Sequence, residues 1–275
     1  MSPSAARNMR ALPWGREFVM RYAVIDIGNT STSLGLVEGR RLVRLGRMPS
    51  REGREPAAIL ARLKRLAGAR GIEDAVLCSV VPNVNAAWTR VLIRQCGRAP
   101  IVVGRRTRLN VRVDYPHPAT IGADRLANAV AGWDRYHGPV IVADFGTALT
   151  FDVITGDGRY VGGVIVPGLP LMTDYLAERT ALLPHIGLGG RFGAYGRSTR
   201  EAMRIGAMVG YRGMVREILE HIKTGLDDQR VHFCATGGYA ARALTGLDVP
   251  VDILPHLTLE GLVLIRELNR CDEKA

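Results

Sequence analysis

Lysine is nearly missing from this chain. Lys64, Lys223 and Lys274 are the only three, so arginine carries the net charge of +11. Neither G-x-x-x-x-G-K-[ST] nor G-x-G-x-x-G occurs, which argues against P-loop and Rossmann folds. No apolar run approaches the ~20 residues needed to span a bilayer, and a hydrophobic share of 47% fits a soluble globular protein. The cysteines Cys78, Cys96, Cys234 and Cys271 form no C-x-x-C pair, and the histidines form no i, i+4 pair. A His/Cys metal site is therefore not expected, and reduced thiols in a cytoplasmic protein are. His117 is the one histidine close in sequence to a candidate site, and it reads as a loop residue. The arginines are scattered, with short pairs such as Arg40-Arg41 and Arg105-Arg106 and no RNA-binding or zinc-finger pattern. Their charge reads as a basic surface that suits anionic ligands, not as a nucleic-acid interface. Residues 1–19 lack the apolar core and cleavage site of a secretory signal. Because Met20 stands directly before the first strand, they read as a disordered extension or a misassigned start.

What the chain does have is one pattern used twice. Tyr22 to Ile25 is an apolar strand that ends in Asp26, Gly28, Asn29 and Thr30, a turn leading into a second alternating strand, Ser31 to Val37. Gly28 lets the backbone approach an anion, Thr30, Ser31 and Ser33 supply donors, and a carboxylate at a strand end can hold a hydrated Mg²⁺. Taken singly, the same turn reads equally as a structural hairpin. Ile141 to Gly163 repeats the plan, with Asp144 matching Asp26 and Gly146 matching Gly28. Two copies so far apart imply a duplicated domain, not a short-period solenoid. Facing each other, the hairpins would set two carboxylates and two groups of hydroxyls on opposite walls of a cleft.

The intervening chain supports an α/β duplication. Pro56 to Ala67 and Pro82 to Cys96 have helical periodicity with proline in the first turn, and Ala75 to Val80 and Ile101 to Val103 read as strands. This order resembles a ribonuclease H-like half. Arg108 to Ile121 is irregular and carries Asp114, Tyr115 and His117, which makes it a functional-loop candidate. Gly122-Ala123-Asp124-Arg125 then opens a helix, where Asp124 reads either as an N-cap or first-turn carboxylate favoured by the helix dipole or as a general base beside an anion-holding arginine. A long helix is expected from Arg200 to about Lys223. Its Gly206, Gly210 and Gly213 would admit another helix closely, from the same chain or from a partner. The strand Val231 to Ala235 ends in Thr236-Gly237-Gly238, where a flat adenine and ribose could lie against backbone. The expected organisation is 1–19 outside the fold, 20–136 as an N-terminal ribonuclease H-like domain and 137–275 as a C-terminal one.

With these residues collected, the chain from Met20 to Asn269 resembles type III pantothenate kinases, a branch of the actin-like ATPase superfamily. The resemblance rests on Asp26 to Thr30, Gly122 to Arg125, Asp144 to Thr147, Gly162 to Leu169, Thr180 to Pro184 and Thr236 to Gly238. It implies ATP-dependent phosphorylation of the primary hydroxyl of pantothenate, the first step of coenzyme A synthesis, by a homodimer. It further implies that Asp26, Ile27, Gly28, Asn29, Thr30, Ser31, Thr32, Ser33 and Thr147 hold ATP with Mg²⁺, and that Asp124 accepts the proton. Tyr115, Gly122, Ala123, Asp124, Arg125 and Thr199 would contact pantothenate, and Asp144 would bind a monovalent cation, K⁺ or NH₄⁺. Two alternatives stay open: an accessory regulatory protein of the same family, and a kinase of the same fold acting on another small alcohol.

Overall fold

The computed structural model describes residues 19–190, 193–226 and 230–270. Of the expected N-terminal extension only Val19 falls within them, and Cys271 lies outside. The first half runs through β1 (Arg21–Ile27), β2 (Ser31–Glu38), β3 (Arg41–Pro49), α1 (Pro56–Ala67), β4 (Asp74–Ser79), α2 (Pro82–Cys96) and β5 (Ile101–Val102). These strands make a five-stranded sheet in the order β3-β2-β1-β4-β5. β1 and β4 are buried along most of their length and pair in parallel, so they read as apolar runs, whereas β3 lies at an edge and is largely exposed.

A second, six-stranded sheet follows. After β6 (Arg112–Val113) and α3 (Ala123–Tyr136) come β7 (Val140–Phe145), β8 (Ala148–Ile154), β9 (Arg159–Pro167), α4 (Leu169–Arg179), α5 (Thr199–Ile205), α6 (Tyr211–Leu226), β10 (His232–Thr236), α7 (Ala240–Leu244), β11 (Asp252–Ile253) and α8 (Leu257–Arg270). The sheet order is β11-β10-β7-β8-β9-β6. The duplication is visible in detail. β1, β2 and β3 form an antiparallel meander, and β7, β8 and β9 repeat it. The Thr30 carbonyl accepts from the Ser50 amide at 3.1 Å, and the Thr147 carbonyl accepts from the Gly168 amide at 3.0 Å, each just past a strand-ending proline.

α3 and α8 pack between the sheets, closely enough that a side chain on Gly261 would meet the Ala127 carbonyl at 2.0 Å. α8 also reaches back to the first half. Arg266 and Arg270 hold the fully buried Asp74 at 2.9 and 3.2 Å, and the Arg266 guanidinium lies 4.2 Å from the centre of the Tyr22 ring.

The expected single helix from Arg200 is instead two α-helices joined by a π-helical turn, Gly206–Gly210. A widened turn at two glycines is where the ladder of i to i−4 bonds yields most easily. A side chain added at Gly206, Gly210 or Gly213 would meet only open space, so no helix among the described residues packs onto them.

Candidate active site

The cleft is built from the ends of β1 and β7. Asp26 sits at the C-terminal end of β1 and Asp144 at that of β7, one in each sheet. Both line a cavity of about 590 Å³ together with Ser33, Arg47, Gly237 and Gly238. Gly237 has φ +89°, and a side chain there would meet Asp144 Oδ1 at 2.5 Å, so the strand-to-helix turn after β10 closes on the carboxylate only with glycine. The hairpin tips meet across the cleft through the Thr30 and Thr147 hydroxyls, 2.9 Å apart.

Strand alternation sorts the first hairpin. Asp26, Ser31 and Ser33 face the cleft side. Ile27 and Thr32 point the other way, Ile27 into the core and Thr32 to the Ser50 hydroxyl at 3.0 Å, so these two offer the cleft only backbone. Gly28 donates its amide to the Ser31 carbonyl at 3.2 Å, and Asn29 is exposed at the tip.

Asp124 is the second residue of α3, whose N-cap is Gly122 with no side-chain cap. Its Oδ1 accepts from the Arg125 amide at 2.8 Å, and a side chain on Gly122 would fall 2.4 Å from the same oxygen. The carboxylate is thus not the cap of the helix. It is held in a slot that Gly122 leaves open, near enough to Asp26 and Asp144 to oppose their ionisation. Burial raises the Asp124 carboxyl above the usual range, against the pull of the Arg125 amide and charge. Burial, with Asp124 and Asp144 adding, pushes Asp26 up to about 7, against a hydrogen bond from the Cys78 thiol at 3.3 Å. Asp144 is pushed up to about 6 by burial, offset by Asn128, which donates Nδ2 to Oδ2 at 3.2 Å and is fixed in turn by the Thr258 hydroxyl at 2.8 Å.

These shifts have a sign for stability. A carboxyl whose pKa is higher folded than unfolded makes the folded state hold more protons, so its contribution to stability falls as pH rises from about 4 to 7, by up to about 1.4 kcal/mol per pH unit. The expected result is that the ligand-free protein loses stability relative to Asp26→Asn between pH 5 and pH 8, measured by denaturant titration. Parallel curves for the two proteins would contradict the shift at Asp26.

Arg125 and Tyr115 make the second cluster. Arg125 Nε donates to Asp152 Oδ1 at 2.6 Å, and the Tyr160 hydroxyl donates to the same oxygen at 3.0 Å. Burial works against the Arg125 charge, and Asp152, with Tyr160 and Asp124 adding, more than offsets it. Gly163 leaves the space this pair needs, since a side chain there would meet Arg125 Nη2 at 2.6 Å. Tyr115 stands edge-on to Tyr160, 6.3 Å between ring centres, over the backbone of Gly162. Sequence reasoning missed Asp152 and Tyr160. The available signal was a charged residue at an inward position of the apolar run Leu149 to Ile154. Thr199 opens α5 in solvent, and like Tyr115, Asp124 and Arg125 it is not among the residues lining the 590 Å³ cavity.

Among the described residues no three His, Cys, Asp or Glu side chains converge tightly enough to hold a metal ion by themselves. The oxygen donors of Asp26 and Ser33 suit a hard cation that keeps water and phosphate as most of its ligands. A cleft of this kind, with carboxylates from two duplicated hairpins and a glycine turn at its far side, fits a nucleotide with such a cation.

The fold is shared with solved structures. A Baf family protein from Campylobacter jejuni superimposes with a TM-score of 0.59 at 16% identity, covering 90% of this chain and 98% of that one. A ROK family glucokinase from Streptomyces griseus, in complex with glucose and AMPPNP, gives 0.51 at 16% identity, covering 89% and 98%. Among curated sequences, a type III pantothenate kinase of Akkermansia muciniphila is 42% identical over 253 residues, 91% of this chain and all of its own length. One from Dehalococcoides mccartyi is 37% identical over 255 residues, 91% of this chain and 98% of its own. The family model described as type III pantothenate kinase matches residues 22–221, which contain both hairpins, Asp124 and Arg125. With the duplicated actin-like fold beneath these matches, the chain belongs to the type III pantothenate kinase family.

Proposed function

We propose that this chain transfers the γ-phosphoryl group of ATP to the primary hydroxyl of pantothenate, the first step of coenzyme A synthesis. Membership of the family supports the reaction, and the observation that carries its placement is the buried Asp124 carboxylate beside the two hairpin carboxylates. The hydroxyl oxygen attacks the γ-phosphorus, its proton passes to Asp124, and the bond to the β–γ bridging oxygen breaks to release ADP. Burial fits Asp124 for this, because a raised pKa makes the carboxylate a stronger base. Arg125, Tyr115 and the backbone of Gly122 and Ala123 would hold the pantothenate carboxylate and amides, with Asp152 and Tyr160 keeping the guanidinium in place. Asp26, Ser31, Ser33 and the amides from Ile27 to Thr32, with Asn29, Thr30 and Thr147 at the tips, would bind the phosphates. Mg²⁺ on this oxygen set would supply charge neutralisation for the phosphates. Incubation with ATP, Mg²⁺ and pantothenate is expected to yield phosphopantothenate, detected by mass spectrometry. ATP turnover without that product would point to another alcohol as acceptor.

We assign a monovalent cation, K⁺ or NH₄⁺, to Asp144, whose buried carboxylate is oriented by Asn128. The halves 20–136 and 137–275 each supply one wall of the cleft. No helix among the described residues is long and apolar enough to cross a membrane, and a cytoplasmic site fits the reduced thiols expected above. A homodimer is supported by the open faces of Gly206, Gly210 and Gly213. Val209, within the same turn, and Tyr175 on α4, which packs against it, are 47% and 61% exposed in the single chain. A partner's α5 would then bring Thr199 to the acceptor site. Light scattering is expected to give a mass near twice 29.9 kDa; a mass of one chain would contradict the dimer.

A further inference from the structure

The cleft cavity contains one arginine and no lysine among its described lining residues, and that arginine is Arg47. It stands on β3 opposite Ser33, and Ser33 stands opposite Asp26 on β1. Side chains opposite one another on paired strands share a face. Asp26, Ser33 and Arg47 therefore form a row across one wall of the cleft. Arg47 Nη2 donates to the Ser31 hydroxyl at 2.7 Å, and its Nη1 lies 3.9 Å from where a side chain on Gly238 would begin. The guanidinium thus bridges the gap between the first hairpin and the glycine turn of the second half. It makes no ion pair among the described residues, while its charge works to lower the pKa of Asp26.

The internal duplication supplies a control. The matching row in the second sheet is Asp144, Thr150 and Ile165. Arg47 and Ile165 each stand two residues before a proline, Pro49 and Pro167, and each is followed by the same carbonyl-to-amide closure of its hairpin. The meander is therefore built equally well with an exposed aliphatic side chain at this position, and its architecture does not require the arginine. Arg47 is exposed at this cavity, and a cation kept in only one of two copies, with no ion-pair partner among the described residues, can take a ligand of opposite charge there.

We propose that Arg47 binds the phosphate chain of the nucleotide. It supplies the fixed positive charge that phosphoryl transfer needs and that a P-loop lysine would otherwise bring. The proposal rests on the reading of this cleft as the ATP site. The test is calorimetric binding of ADP and of adenosine to wild type, Arg47→Ile and Arg47→Lys. Arg47→Ile copies the residue that the second half already tolerates, and an unchanged melting temperature establishes that it is folded. Arg47→Ile is expected to weaken ADP by about 10- to 100-fold, the worth of one charge-assisted contact, and to leave adenosine binding unchanged. Arg47→Lys should fall between, keeping the charge but not the fork, and it serves for the same comparison if Arg47→Ile melts early. Unchanged ADP affinity, or an equal loss for ADP and adenosine, would overturn the proposal. A wild-type protein that binds neither ligand would overturn the cleft assignment itself and the role of Arg47 with it.

Discussion

Replacing Asp124 by asparagine is expected to lower turnover by about 10²- to 10⁴-fold while leaving ADP binding in place, the loss that follows removal of a general base. The amide has the shape of the carboxylate and can still accept from the Arg125 backbone, which Asp124 Oδ1 does at 2.8 Å. What disappears is the proton acceptor. The change also removes a negative charge that raises Asp26 and Asp144, so both should ionise at lower pH and hold a cation at least as well as before. Reduced turnover with intact nucleotide binding is therefore the signature of a base. Near-normal turnover in Asp124→Asn, with ADP still bound, would remove Asp124 from that role.

Asp144→Ala should abolish activation by K⁺, with activity in K⁺ falling about 10- to 100-fold to the level seen in Na⁺, the scale of a lost contact to a charged group. Asp144 is buried, its Oδ2 is held by Asn128, and the glycine turn at Gly237 closes directly on its Oδ1. Alanine leaves the Asn128 amide without a partner, at a cost of about 1–3 kcal/mol. Asp144→Asn is the companion variant, since it fills the space and keeps a hydrogen-bonding oxygen. Steady-state rates in K⁺ and Na⁺ buffers decide the matter. A variant still activated by K⁺ would place the cation elsewhere.

What could be read from the sequence was what local chemistry fixes. The two D-x-G hairpins were legible because a strand end, a glycine and a hydroxyl-rich return leave their mark within a dozen residues. α1 and α2 were legible to the residue because Pro56 and Pro82 stand where a helix can use them. β6 was not, since two residues of an irregular loop become a strand only by pairing with β9. The π-helical turn escaped as well, because glycine spacing signals a weak point in a helix without saying whether the ladder widens there. Asp152 and Arg47 were missed for a common reason. Each acts from a place set by cross-strand register, and register depends on how distant segments dock. Arg125 was found by its motif, yet its buried partner could be seen only once β8 lay beside α3. Thr199 is the opposite case: a residue the motif places at the substrate stands in solvent in the single chain, and a second chain is what would give it a site.

The most direct test of the central claim is ADP release from ATP and Mg²⁺, measured with and without pantothenate. The account predicts release that requires pantothenate and yields one ADP for each phosphopantothenate formed. A folded protein that binds ATP but releases no ADP when pantothenate is added would contradict it.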